Sequence, residues 1–307
     1  MNLRMSTAPH IKSSDTTSSL MRNVIIALIP CTMASIYFFG LNAIILILVS
    51  IASAVLSEFI FEKLSHKKVT INDGSAFLTG LLLALNIPSS APWWIALIGS
   101  AFAIIIVKQL FGGLGGNFIN PALGARGMLV VSWASIMTTF TTPTGFAAAD
   151  AVTSATPLAT NSADYTTLLF GNIPGTMGET SKIMILLGLA FLLITRTIKW
   201  RIPVVTLAST AFFSFIFGSD PLYAVLAGGI MFGAVFMATD YVTSPMTAAG
   251  QYIYSVGIGL LVVIIRVFGN YPEGVTFAII LMNVVTGLID KYCRERVYGH
   301  SKGEKHE

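Results

Sequence analysis

The chain has 307 residues, 54% of them hydrophobic and only 10% Asp, Glu, Lys or Arg, where a soluble domain carries about a quarter charged residues. That balance excludes an ordinary water-soluble domain, and repeated apolar runs of about 17 to 20 residues fit helices crossing a hydrocarbon core of roughly 30 Å. The net charge of +4 does not indicate nucleic acid, because Lys and Arg sit in short clusters between the apolar runs and form no single basic patch.

Residues 1–21 are polar and Ser/Thr-rich, lack a small-residue cleavage site, and read as a retained tail rather than a signal peptide. The first apolar run, Arg22 to Gly40, and the second, Leu41 to Phe61, are expected to form a hairpin about Gly40-Leu41-Asn42, with Pro30 kinking the first. Lys63, Lys67 and Lys68 follow, and with Arg4, Lys12 and Arg22 they mark a cytoplasmic side. The third segment, Gly74 to Ile87, is too short to cross alone and runs into Pro88. The fourth, Trp93 to Phe111, starts on an interfacial Trp pair and ends near Lys108. The glycine-rich link 112–116 has neither the GxGxxG nor the GxxxxGK[ST] spacing of a phosphate-binding loop, so a close helix approach or a bend is the better reading. The fifth segment runs from Ala122 to Phe140, with Arg126 near its inner end.

A polar interval from about Pro143 to Thr180 follows, with Asp150, Asp164 and Glu179 but no Lys or Arg, as expected of an external loop. Beyond it lie segments at Lys182 to Thr195, Val204 to Phe217, Leu222 to Ala238, Tyr252 to Phe268 and Val275 to Ile289. The basic residues Arg196, Lys199 and Arg201, and those of the C-terminal tail, are all on the inner side if there are ten spans and both termini are cytoplasmic. The expected fold is therefore an all-α integral membrane protein of about ten transmembrane helices in a bacterial or archaeal inner membrane. It has a tail at 1–21, one transmembrane domain at 22–290 including an external loop at 141–180, and a tail at 291–307. The third and eighth segments are both short and run into Pro/Ser-containing chain, which suggests a five-plus-five inverted repeat whose broken helices build a buried site.

Chemistry-bearing residues are few. Cys31 and Cys293 have no CxxC spacing, and the four histidines lie in the tails or the first basic loop, so no metal or haem site is expected. For Asp73, Arg126, Asp240, Arg266 and Glu273, interfacial snorkelling or a helix-end contact stands beside contact with an ion path or a bound flavin. Asn120 and Asn283 either polarise a bound group or join helices. In the loop, Thr153, Ser154, Thr156 and Thr160 cluster beside Asp150 and Pro157, which by itself describes a hydroxyl-capped turn.

The stretch Asp150 to Ala159 nevertheless resembles the flavinylation site of the RnfD and NqrB family, membrane subunits of ion-translocating electron-transfer complexes. The resemblance extends to the ten-span layout and to Asn72-Asp73-Gly74, Asn120-Pro121-Ala122 and Tyr271-Pro272-Glu273-Gly274, and the short N-terminal tail favours the RnfD branch. It implies FMN bound covalently through a phosphoester to Thr156, with Asp150, Thr153, Ser154, Ala155 and Pro157 forming the attachment motif; Ser154 stands where Gly is common. It also implies a flavin transferase for maturation, a second noncovalent flavin such as riboflavin as an option, and Na⁺ or H⁺ as the coupled ion. Asp73, Asn120, Arg126 and Asp240 are then the candidates for the ion path or the second flavin. Ferredoxin and NAD would be handled by partner subunits of an Rnf-type complex, because this chain shows no site for either. An NqrB-like quinone-reducing pump, a cofactor-free secondary transporter and an assembly scaffold are the alternatives.

Overall fold

The computed structural model describes residues 16–143, 145, 153, 154, 158, 163–269 and 274–293. Helix α1 (Thr17–Leu64) opens on a capping box in which the side chains of Thr16 and Ser19 each accept the other's backbone N–H. Its backbone leaves the helical region at Gly40, at φ 62° and ψ −137°, a conformation open to a residue without Cβ. Pro30 keeps helical angles, so the interruption lies at the expected turn and not at the proline. The two limbs fold back on each other. Ile25 of the first limb approaches Gly74, and Glu62 near the end of the second accepts the Thr70 N–H at 3.0 Å, four residues before that glycine.

A 3₁₀ turn (Ile71–Asp73) leads into α2 (Ser75–Leu85), which stops at Asn86-Ile87-Pro88 as the proline requires. Gly80 of α2 lies so close to α1 that an added Cβ would fall 2.8 Å from the Ser50 carbonyl oxygen. Such small-residue contact is the means by which helices pack without a hydrophobic driving force between them. Helix α3 (Trp93–Phe102) continues as a π-helical turn over Ala103–Gln109. The glycine link that follows bends the chain, with φ of 114°, 90° and 93° at Gly112, Gly113 and Gly115. Nothing lies within 4 Å of a Cβ placed at Gly112 or Gly115, so backbone angle and not close helix approach accounts for those two glycines.

The fifth apolar run does not form the expected single helix. Helix α4 (Pro121–Ser132) ends where Trp133 turns away at φ −132° and ψ 54°, and only the short α5 (Ala134–Met137) follows. Twelve residues rise about 18 Å, well short of the hydrocarbon core. The all-helical expectation is also corrected locally, because β1 (Phe140–Thr141) pairs antiparallel with β2 (Thr153–Ser154), with Thr141 opposite Thr153.

Helices α6 (Tyr165–Phe170), α7 (Lys182–Ile194) and α8 (Arg201–Ile216) come next. The eighth apolar run is interrupted twice: α9 (Pro221–Leu226) breaks at Ala227-Gly228-Gly229, then α10 (Ile230–Phe232) passes into a π-helical turn at Gly233–Met237. Helices α11 (Ala248–Phe268) and α12 (Val275–Tyr292) complete the described chain. Among the described residues, α1, α11 and α12 are each long and apolar enough to cross a membrane, and four shorter apolar helices accompany them. The described core is one large cluster that includes Leu83, Ile95 and Leu129 of the first half and Phe232, Tyr254 and Ile258 of the second.

Contacts sort the polar chain into two ends. Leu20 of α1 lines a cavity with Arg196 and Lys199, and its neighbour Met21 packs near Gly74, shortly after Lys67 and Lys68. The Met246 N–H donates to Asp290 at 3.2 Å, next to Lys291, bringing the end of α12 to the same side. β2, Leu158, α6 and Asp220 are at the other end.

Candidate functional site

Four of the helix interruptions converge on a buried polar cluster. Asn86, just past the end of α2, accepts from Arg126 Nη1 at 2.9 Å and donates to the Leu82 carbonyl at 2.7 Å and the Met237 sulphur at 3.6 Å. Asn120 caps α4 by accepting the N–H groups of Ala122 and Leu123, while its amide donates to the Met237 carbonyl at 3.3 Å. Met237 closes the π-helical turn, so a carbonyl freed by irregular helix is the point where two buried amides meet. Asp240, three residues on, accepts the Thr243 hydroxyl at 3.1 Å.

Asp240 and Asn120 line a cavity of about 50 Å³ together with Ser75, Lys108 and Asn117. As built, this space suits an ion or water and is far below the roughly 300–1,000 Å³ typical of cofactor pockets. Asp73 stands one hydrogen bond away: its Oδ1 accepts from the N–H and hydroxyl of Ser75, and Ser75 Oγ accepts from Lys108 Nζ at 2.6 Å. Lys108 in turn pairs with Glu58 at 2.5 Å, both side chains almost fully buried, and Gln109 donates to the same carboxylate at 2.7 Å.

The structure thus joins three of the four ion-path candidates directly and Asp73 through Ser75. Arg126, only 5% exposed, does not snorkel to an interface as its position near a segment end suggested. Asn86, Ser75, Glu58 and Lys108 were missed as participants, although Asn86 is the polar residue immediately before the Ile87-Pro88 break and Glu58 is an acid inside an apolar run. Asn283 proves to join helices, accepting the Tyr254 hydroxyl at 2.6 Å.

A second cluster lies at the break between α9 and α10. Gly228, at φ 72°, takes a backbone shape that favours glycine, and an added Cβ there would fall 2.5 Å from Leu158 Cδ1. The carbonyls around this break are held by two cations. Arg266 donates to Ala224 at 2.6 Å and Ala227 at 3.2 Å, while the fully buried Lys182 donates to Gly228 at 3.0 Å and also to the Glu179 carbonyl. Cations at a helix C-terminus meet the negative end of its dipole. Glu179, 3% exposed, accepts the Thr176 N–H through Oε1, and its Oε2 has no hydrogen-bond partner among the described residues.

Beside this break is a cavity of about 670 Å³ whose lining includes Leu158, Tyr165, Asp220, Tyr223 and Arg266. Tyr165 donates to the Asp220 carboxylate, which holds Asp220 below the usual carboxylate range and raises the Tyr165 phenol. Of the attachment motif, Thr153 and Ser154 pair with β1, whose Thr141 hydroxyl is 2.8 Å from that of Ser89, and Leu158 lines the cavity. Asp150, Ala155, Thr156 and Pro157 lie outside the described residues; Thr156 is two residues from Ser154 on one side and two from Leu158 on the other. A cavity in the cofactor range, with two aromatic rings and a guanidinium in its lining, fits a flavin. Among the described residues no group of three His, Cys, Asp or Glu side chains is arranged to hold a metal.

Comparison with known proteins bears directly on this geometry. The NQR2, RnfD, RnfE family model matches residues 4–299. The chain is 47% identical to the RnfD subunit of the Na(+)-translocating ferredoxin:NAD(+) oxidoreductase complex of Acetobacterium woodii, over 99% of this chain and 98% of that protein. It is 40% identical to the RnfD subunit of the proton-translocating ferredoxin:NAD(+) oxidoreductase complex of Clostridium ljungdahlii, over 96% of each. It is also 35% identical to the RnfD subunit of the ion-translocating oxidoreductase complex of Shewanella amazonensis, over 98% of this chain and 99% of that one. With matches spanning almost its whole length, the chain belongs to the NQR2, RnfD, RnfE family.

Proposed function

We propose that the chain is the membrane subunit of an Rnf-type ion-translocating ferredoxin:NAD oxidoreductase complex, carrying FMN as a phosphoester on Thr156 and relaying electrons through it. The observation that carries this reading is the placing of the motif's flanks. Thr153 and Ser154 are paired to β1, and Leu158 lines a cavity of about 670 Å³. When bound, the flavin supplies reversible electron transfer. The chain's own residues supply its surroundings. Tyr165 and Tyr223, with ring centroids 6.5 Å apart, offer aromatic surface, and Arg266 offers fixed positive charge tied to α9 by two carbonyls. The Asp220 carboxylate orients the Tyr165 hydroxyl.

The second part of the proposal assigns Asp240, Asn120 and Arg126, with Asp73 behind Ser75, to the path of Na⁺ or H⁺. The small cavity at Asp240 favours an ion over a second flavin at that place. We further propose ten crossings in five-plus-five inverted order, with both termini cytoplasmic and the Thr156 loop external. The relatives' names support the partner set: other Rnf subunits, with ferredoxin and NAD bound elsewhere in the complex.

The test is mass analysis of the membrane-expressed protein made with a flavin transferase. An FMN-sized adduct on the peptide containing Thr156, absent from Thr156→Ala while the complex still assembles, is the expected result. Covalent FMN retained in Thr156→Ala would overturn the assignment. Substrate uptake by the isolated, flavin-free chain would favour a secondary transporter instead.

A further inference from the structure

At the basic end, the turn between α7 and α8 is built to present cations. Arg196 sits at φ 53°, an unusual angle for a residue with a side chain. Its neighbour Thr197 is pinned by the Asn23 amide at 3.1 Å and lies 2.8 Å from the Thr195 hydroxyl. Arg196 and Lys199 line a cavity of about 400 Å³ shared with Thr239, Tyr241, Ser244 and Gln251. Neither cation has an acidic partner among the described residues.

The back of the cavity provides an independent signal. Gln251 is only 6% exposed, and its Nε2 donates to the Pro245 carbonyl at 3.2 Å. That bond fixes which end of the amide is the oxygen. Oε1 has no hydrogen-bond partner among the described residues, an acceptor left without a donor in a buried position. The rim is apolar and aromatic: Trp200 is 52% exposed and Met246 83%, side chains suited to the headgroup level and the adjoining acyl chains.

Two cations in front, one unfilled acceptor behind and an apolar rim describe an amphiphile whose anionic group also carries a hydrogen-bond donor. We propose that this cavity binds the headgroup of an anionic, hydroxyl-bearing phospholipid of the phosphatidylglycerol type. The phosphate pairs with Arg196 and Lys199, a glycerol hydroxyl donates to Gln251 Oε1, and the acyl chains leave past Trp200 and Met246. Basic pockets between helices are a recurrent means of recognising anionic lipid. The site does not depend on flavin at Thr156.

The test is native mass spectrometry of the purified complex, reconstituted with equal amounts of phosphatidylglycerol, phosphatidylcholine and phosphatidylmethanol; the last has the same charge as phosphatidylglycerol but no headgroup hydroxyl. Wild type is expected to retain at least one more phosphatidylglycerol per complex than the Arg196→Gln/Lys199→Gln variant. Gln251→Leu is expected to keep the preference for anionic lipid but lose, by about fivefold or more, the preference for phosphatidylglycerol over phosphatidylmethanol. If the double variant does not assemble, Lys199→Gln alone is expected to lower retention and Lys199→Arg to preserve it. Equal retention by wild type and the charge variants would overturn the proposal. So would shielding of Arg196 and Lys199 by a neighbouring subunit irrespective of lipid.

Discussion

Lys108→Met probes the buried frame that links α1, α2 and the π-helical turn after α3. Lys108 Nζ lies 2.5 Å from Glu58 Oε1 and 2.6 Å from Ser75 Oγ, and the paired side chains expose only 3% and 0% of their surface. Methionine nearly fills the lysine's volume but leaves the Glu58 carboxylate without its counter-charge and held mainly by Gln109 at 2.7 Å. Removing one partner of a buried pair costs about 3–5 kcal/mol because the remaining charge stays desolvated, whereas replacing both by apolar groups is often neutral or stabilising. The assay is denaturant unfolding of the subunit in detergent, followed through its four tryptophans. Lys108→Met should lose about 3–5 kcal/mol, and Glu58→Leu/Lys108→Met should recover most of that loss. A single variant within about 0.5 kcal/mol of wild type, the size of an ordinary surface change, would refute the reasoning, as would a double variant no more stable than the single one.

Further outcomes follow from other contacts. Gly80→Leu must force α2 away from the Ser50 carbonyl, with a cost of about 1–3 kcal/mol in the same unfolding assay and a smaller cost for Gly80→Ala. Lys182→Met withdraws a buried ammonium from the Gly228 and Glu179 carbonyls, and a loss of at least about 1.5–3 kcal/mol is expected, since hydrogen bonds to charged groups contribute that much each. Tyr165→Phe removes the bond that lowers Asp220; that bond's contribution is present above the ordinary carboxylate range and lost as pH falls through the lowered value. The stability difference between wild type and Tyr165→Phe should therefore be constant near neutral pH and shrink below about pH 4. Asp240→Asn should slow Na⁺- or H⁺-coupled turnover of the reconstituted complex while covalent flavin content stays at the wild-type level; unchanged coupling would remove Asp240 from the path.

Composition and periodicity alone determined the membrane class, the turn at Gly40, the early stop of the third segment before Pro88 and the interruption of the eighth. Each follows from a local rule: an apolar run long enough to span, a glycine that can adopt positive φ, or a proline that cannot continue a helix. Those rules work on neighbours in sequence, so they read the fifth run as one helix across Trp133, although its composition stays apolar where the backbone turns. They likewise placed Arg126 at an interface because it is a charge near a segment end, without access to Asn86 forty residues away. The short ladder between Phe140–Thr141 and Thr153–Ser154 was equally out of reach, since strands of two residues have no period to detect. Only the tertiary structure decided which polar residues share a site. Asn86, Arg126 and Asn120 meet at Met237, and Leu158, Lys182 and Arg266 meet around the break at Ala227 and Gly228. The physical reason is that a broken helix frees backbone groups that must find partners within the protein, and those partners come from whichever distant segments pack against the break.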